Sequence, residues 1–253
     1  MALFTDGQIN NLRDLQRYES GLLDVASAEQ IDITAKMALA QDMIASDLLL
    51  FLLKRSWQWE PNRRVTDVSD VAITDPLRRW HGLKSIALAY EDAYNNQLND
   101  RYQGKWRQYQ QRAVEAARIL YQVGVGLVWD PMAKAESPLL VATAGSYAAT
   151  TYYVRIAWIN RAGQEGTPSD VVALPTVDGT QLVVSPVRRP ANATGWNVYA
   201  GITPDGASLQ NDAALAADAD WIVPPTGLRN GTRSGQGQKP DRYVVQHRGI
   251  LRG

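Results

Sequence analysis

Apolar residues recur at three- and four-residue steps through the first half of the chain and alternate through the second, so the pattern predicts helices followed by strands. Thr5-Asp-Gly-Gln8 has the spacing of a capping box, and Ile9, Leu12 and Leu15 then share one stripe. Ser27-Ala-Glu-Gln30 repeats the device before a longer helix that runs to about Lys54. There Ile31, Ala35, Ala38, Ala45, Leu48 and Leu52 fall on one broad face. The run Leu48–Leu53 is apolar all round and is expected to be buried on every side. Pro61 and the polar Asn62–Arg64 end the pattern. Thr74-Asp75-Pro76 is a start signal, a cap followed by a proline whose missing amide costs nothing at the first helical position. Leu77, Trp80, Leu83, Ala87, Tyr90, Tyr94 and Gln97 follow on one stripe, and Asn95–Asp100 interrupts it. After the turn residue Gly104, a second stripe carries Trp106, Tyr109, Ala113, Ala116 and Leu120. The two segments predict an antiparallel helical hairpin with a wet outer surface of Gln103, Lys105, Arg107, Gln108, Gln110, Gln111 and Arg112.

Gly124-Val-Gly126 reads as the helix stop and a hinge between domains. Asp130-Pro131 and Ser137-Pro138 form a linker, and β-branched residues, glycine and proline take over from Leu139. Strands are predicted at Leu139–Thr143, Thr151–Asn160, Asp170–Leu174, Gln181–Ser185, Gly195–Gly201 and Trp221–Pro224, with turn signals between them at short intervals. From Gly227 the chain is rich in Gly, Arg and Gln and looks extended. The fold class expected is α+β. An N-terminal α-helical bundle (1–130) is followed by a β-sandwich (138–228) and an extended basic C-terminal arm (229–253).

Composition narrows the function. The chain has 253 residues, 45% of them hydrophobic, and a net charge of zero, which is not the profile of a general nucleic-acid binder. It has no cysteine, which removes disulfides, thiolate nucleophiles and thiolate-held zinc. His81 and His247 are the two imidazoles, at opposite ends of the sequence. The acid pairs Asp67/Asp70 and Asp218/Asp220 fall short of the ligand sets that hold hard cations. Nucleophile-elbow, phosphate-loop and zinc-protease patterns are missing from the sequence, so the expectation is no enzyme, no cofactor and no metal. The first residues have neither the basic start nor the apolar core of a signal peptide, and no run approaches the roughly 20 residues that span a bilayer. No membrane association is expected, and synthesis in the cytoplasm is; the sequons at Asn192 and Asn230 are then silent.

Two stretches remain as candidate contact surfaces. Arg101–Arg112, RYQGKWRQYQQR, mixes bases with aromatics, but Trp106 and Tyr109 fall at helical spacing. They belong to a core stripe, and the charges face water or a neighbouring subunit. The tail from Arg229 to Arg252 sets six bases against the single acid Asp241. Tyr243-Val-Val-Gln could add a strand to another surface, and Ile250 and Leu251 form an apolar pair that a merely solubilising tail does not need.

The stretch YYVRIAWINRAGQEGTPSD, Tyr152 to Asp170, resembles the closing hairpin of fibronectin type III and related immunoglobulin-like domains, with its N-x-x-G-x-x-G-x-x-S. GWNVYAG, Gly195 to Gly201, resembles their central strand, here in reversed order, so the resemblance is to an immunoglobulin-like sandwich in general. GQEGTPSD, TGWNVYAG, SLQND and Trp221 with PPTGL in succession are similar to modules of tailed-bacteriophage virion proteins. The helical stretch from Ile73 to Ala113 resembles the head-to-tail adaptor, or connector, proteins of those viruses. The resemblance implies a ring below the portal at the head–tail junction of the virion, expected to be dodecameric, that extends the DNA channel and seats the tail. Its implied partners are the portal protein, neighbouring copies, a distal tail or neck protein and genomic DNA in passage. The implied portal-docking residues are Arg242, Tyr243, Arg248, Ile250, Leu251 and Arg252, and the implied inter-subunit residues are Arg107, Gln108, Gln111 and Arg112. Two other functions fit the same pattern: a neck or tail-completion protein, and a carbohydrate or host-surface binding module on an oligomerising stem, which exposure of Trp196 or Trp221 would support.

Overall fold

The computed structural model describes residues 1–56, 66–97 and 100–246, the side chains of Arg55, Ser56 and Gln97 excepted. Pro61, Asn62–Arg64, His247, Arg248, Ile250, Leu251 and Arg252 lie outside the described residues. The chain is α+β, with helices first and a two-sheet sandwich after them. It divides into two compact units whose bounds differ from those read off the sequence. The helical unit takes residues 7–128 together with the chain from Pro240 on, and the β unit takes Met1–Asp6 with Trp129–Lys239. The segment read as one extended arm is therefore shared between the two units.

In the helical unit α1 (Leu12–Tyr18) and α2 (Leu22–Ala28) precede three long helices: α3 (Ile33–Ser56), α4 (Asp75–Gln97) and α5 (Gln103–Val123). The capping box that starts α1 is Asn11 with Asp14, whose side chains bond each other's backbone amides at 3.0 and 3.1 Å. Thr5–Gln8 lies ahead of it in a turn, and Ser27 sits inside α2, so neither sequence box is a cap. Asp32 starts α3 instead, its carboxylate accepting from the amides of Thr34 and Ala35. Thr74 precedes α4 as expected, yet its buried hydroxyl makes no hydrogen bond. The expected hairpin is α4 with α5, and α4 also packs on α3. Its centre is buried on two sides through Trp80, Leu83, Ile86, Ala87, Tyr90 and Ala93.

In the β unit one sheet runs β2 (Leu139–Tyr147), β5 (Thr180–Ser185), β9 (Trp221–Ile222). The other runs β4 (Val172–Pro175), β3 (Thr151–Ile159), β6 (Gly195–Gly201), β7 (Ser208–Leu209), with β8 (Leu215–Ala216) also paired to β6. All these pairs are antiparallel. Alternate residues of the facing strands build one core: Tyr152, Val154, Ile156 and Trp158 from β3, Leu182 and Val184 from β5, Trp196 and Val198 from β6, and Trp221. The hairpin motif after β3 has a physical role at both ends. The Asn160 carboxamide oxygen accepts from the amides of Ala162 and Gln164 and so shapes the turn. Ser169 Oγ accepts from the Ile156 amide and ties the returning strand to β3.

Candidate functional site

Of the two surfaces singled out by sequence, the α5 face and the part of the tail from Pro240 to Gln246 belong to the helical unit, and Arg229–Lys239 belongs to the β unit. On α5 the side towards α4 is buried through Tyr109, Ala113, Ala116 and Leu120. Tyr109 stacks on Tyr90 with ring centres 5.8 Å apart, and Trp106 stacks on Tyr94 at 5.5 Å. Tyr109 is thus core, as its spacing predicts, while Trp106 is half-buried beside it. Arg107, Gln108, Gln111 and Arg112 are all exposed, and the Arg112 guanidinium lies over the Tyr109 ring at 5.3 Å.

Beneath this face a polar knot fixes the first turns of α5. The Tyr109 hydroxyl donates to Glu19 Oε2 at 3.0 Å, Lys105 pairs with the same carboxylate, and the Tyr102 hydroxyl donates to Glu29 Oε1 at 2.9 Å. Burial opposes the charge on Glu19, but hydrogen bonds from Lys105 and Tyr109 outweigh it and hold the carboxyl below its ordinary value. Burial first, and then the Glu19 hydrogen bond, pushes the Tyr109 hydroxyl up to about 12, so it remains a donor at neutral pH. The knot orients a helix; its tyrosines are too reluctant to ionise to act as bases.

The second surface is the root of the arm. Arg242–Val244 forms β10, antiparallel to β1 (Val125–Leu127), with Val125 opposite Val244, Gly126 opposite Tyr243 and Leu127 opposite Arg242. Gly124–Gly126 is therefore more than a stop, because it is the seat of the tail. A Cβ on Gly126 would lie 2.7 Å from Pro240 Cγ, so only glycine lets the arm approach. Arg242 donates to Thr66 Oγ1 at 3.2 Å, and the Gln246 amide donates to the Tyr121 carbonyl at 2.8 Å. Of the predicted docking residues, then, Arg242 and Tyr243 sit in the chain's own sheet, with the Tyr243 side chain half exposed. The stretch before them is pinned too. In the β unit Gln238 is buried, accepts from the Met132 amide at 2.6 Å and donates to the Asp130 carbonyl and to Gln164.

The other chemical candidates have structural roles. His81 is buried. Asn10 Nδ2 donates both to the Arg78 carbonyl and to His81 Nδ1, so the His81 proton sits on Nε2 and goes to the Met37 carbonyl at 3.0 Å. Burial holds this imidazole below its ordinary pKa, against the opposing pull of the Met37 hydrogen bond. Asp67 and Asp70 cap a single turn, Val68–Asp70, and Asp218 pairs with Arg189. No group of three potential ligands that could hold a metal occurs among the described residues. Trp196 and Trp221 are core residues, with Trp196 Nε1 donating to the Ala216 carbonyl at 3.0 Å, so neither is the exposed aromatic expected of a sugar-binding sandwich, while Trp129 of the same unit is exposed.

One surface went unread. The run Leu48–Leu53 is not buried on every side: Leu48 and Leu52 face the core, while Leu49, Leu50 and Leu53 are exposed, Leu50 by 57%. Ala35 and Ala38, expected inside, are exposed, and Ile33, Met37, Ala40 and Ile44 take their place. The signal available was a step of four, three, four and three through Leu39, Met43, Ser46, Leu50 and Leu53. Among the described residues no helix is long and apolar enough to cross a membrane. No family model, no curated protein and no solved structure matches the chain.

Proposed function

We propose that the chain is a structural virion protein of a tailed bacteriophage. In this reading it is a head-to-tail adaptor whose copies form a ring below the portal, line the DNA channel and offer a platform to a tail or neck protein. The observation that carries the reading is the two-sidedness of α5. Its inner row is buried against α4, while its outer row presents Arg107, Gln108, Gln111 and Arg112 along one side. Arginine and glutamine on a rigid helix suit a wet interface formed late on a preformed partner. A balanced net charge suits a channel that DNA must slide through, since a strongly basic wall would hold phosphates.

The pairing of β10 with β1 refines how the arm would act. Arg242 and Tyr243 fix its root, so docking on the portal falls to the residues beyond Gln246, with Arg248, Ile250, Leu251 and Arg252 supplying charge and apolar grip. The test is removal of residues 247–253 followed by incubation with tail-less heads. The truncated protein is expected to fold, with β10 still paired, and to lose attachment. Attachment at the normal level would show that the arm is not the anchor.

A further inference from the structure

The exposed side of α3 is the largest departure from what the pattern of the chain led us to expect, and its geometry points to an occupant. Leu39, Met43, Leu50 and Leu53 are all exposed, Leu39 by 44% and Leu50 by 57%. With Ser46 they form a seam at four- and three-residue steps, the spacing at which one helix presents a continuous stripe to another. From Leu39 to Leu53 the seam is about 21 Å long at 1.5 Å per residue. Isolated exposed leucines need no explanation, but a row of four on one helix marks a contact surface. The charges flanking it along its length are acidic: at 100° per residue Asp42 falls on one side of the stripe and Asp47 on the other, while bases stand at its two ends, Lys36, which pairs with Asp92, and Lys54.

The outer side of α5 has the same spacing and the opposite character. Arg107, Gln111, Val114 and Arg118 follow at steps of four, three and four, and all are exposed, Val114 by 67%. Arg107, Arg112 and Arg118 face the single exposed acid Glu115, with which Arg118 pairs, and Gly104 leaves open space near the start of the row. Long arginine and glutamine stems cover leucine well while their heads reach outward to acids. Pairing α3 with α3 of a second copy would instead gather Asp42 and Asp47 from both copies around one seam. Both helices pack on α4, and each turns its outer face away from it.

We propose that the α3 seam of one copy docks on the outer face of α5 of the next, leucine against arginine and glutamine stems, with Asp42 and Asp47 set towards the bases. Such a contact is heterologous. Each copy keeps one unused face of each kind, so association continues until it closes into a ring or grows as a filament. The inference deepens the self-assembly part of the function proposed above but needs neither portal nor virion. A chain that self-associates through these faces yet is missing from particles would overturn the adaptor reading alone.

The experiment is mass photometry and sedimentation of the purified full chain across a concentration series, with circular dichroism to confirm folding. Leu50→Glu is expected to weaken association at least tenfold. Asp42→Lys/Asp47→Lys and Arg107→Glu/Arg118→Glu should each fail to assemble alone, and an equimolar mixture of the two should assemble again, because the two reversed faces then meet each other and the two native faces meet each other. A wild-type chain that stays monomeric at every concentration overturns the proposal, including the case in which another segment of the same chain covers the seam. Normal assembly of the Arg107→Glu/Arg118→Glu variant also overturns it, since that result means the outer face of α5 is not what the seam meets. Failure of the mixture to recover, with both variants folded, does the same.

Discussion

In the β unit the edge strand β7 is not left to solvent: the chain after Leu228 returns along it, with the Leu209 amide donating to the Thr232 carbonyl and Ser208 bridged to Arg233. Gly231 lies so close that a Cβ there would meet the Leu209 carbonyl oxygen at 2.2 Å. The helical unit also uses the tail, chiefly to extend β1, and among its described residues Leu39, Met43 and Leu50 on α3 stay exposed. The first unit completes itself with its own chain. The second is completed, on our account, by a copy. The difference teaches that polar, glycine-rich sequence can be closely fitted structure, while an apolar run can be surface.

The comparison breaks most visibly if the self-sufficient unit is opened. Trp196→Ala removes a fully buried side chain and its hydrogen bond to Ala216, and is expected to cost about 3–5 kcal/mol, read as loss of the β unit's cooperative transition with helical ellipticity retained. A smaller effect is expected at the arm seat. Gly126→Ala forces its methyl against Pro240 and should cost about 1–3 kcal/mol, seen as faster amide exchange at Tyr243 and Val244 and new cleavage near Lys239.

Acid sharpens the contrast within the helical unit. An unfolded His81 takes up a proton near its ordinary pKa of about 6.5, whereas the folded one, buried and with Nδ1 facing the Asn10 donor, resists it. The unfolded state therefore binds more protons below that pH, and stability should fall as pH drops through about 6.5 by up to about 1.4 kcal/mol per unit until the folded group titrates. Denaturant midpoints of the helical transition from pH 7.5 to 5 check this. Flat midpoints across that range would show that His81 takes up its proton equally in both states. The smallest effect is expected at the proposed interface: Arg107→Ala should change the monomer's stability by less than about 0.5 kcal/mol, because its side chain is exposed and, on our account, serves a neighbour and not the fold.

What could be read in the sequence was whatever repeats locally. The stripes of α4 and α5 survive because α4 buries Leu77, Trp80 and Leu83 and α5 buries Tyr109, Ala113 and Leu120 at the spacing of a single helix face. The six strands predicted from alternation are all present, β6 with the expected ends and the others with shifted ones, since β3 and β6 keep their core residues on one side. The pairing of β1 with β10 joins residues more than a hundred positions apart, and no local pattern carries that partnership. The two-residue strands β7 and β8 exist only because β6 lies beside them. On α3 the periodicity failed for another reason. A helix apolar on every side does not say which side faces its own core, and the small Ala35 and Ala38 sit in water at little cost. The arm residues were placed correctly as a strand-former around Tyr243, but the sheet it joins is its own.

The most direct measurement of the central claim is negative-stain imaging of the purified chain, alone and mixed with portal rings. The account expects closed rings that stack coaxially on the portal. Monomers that neither form rings nor bind the portal would contradict it.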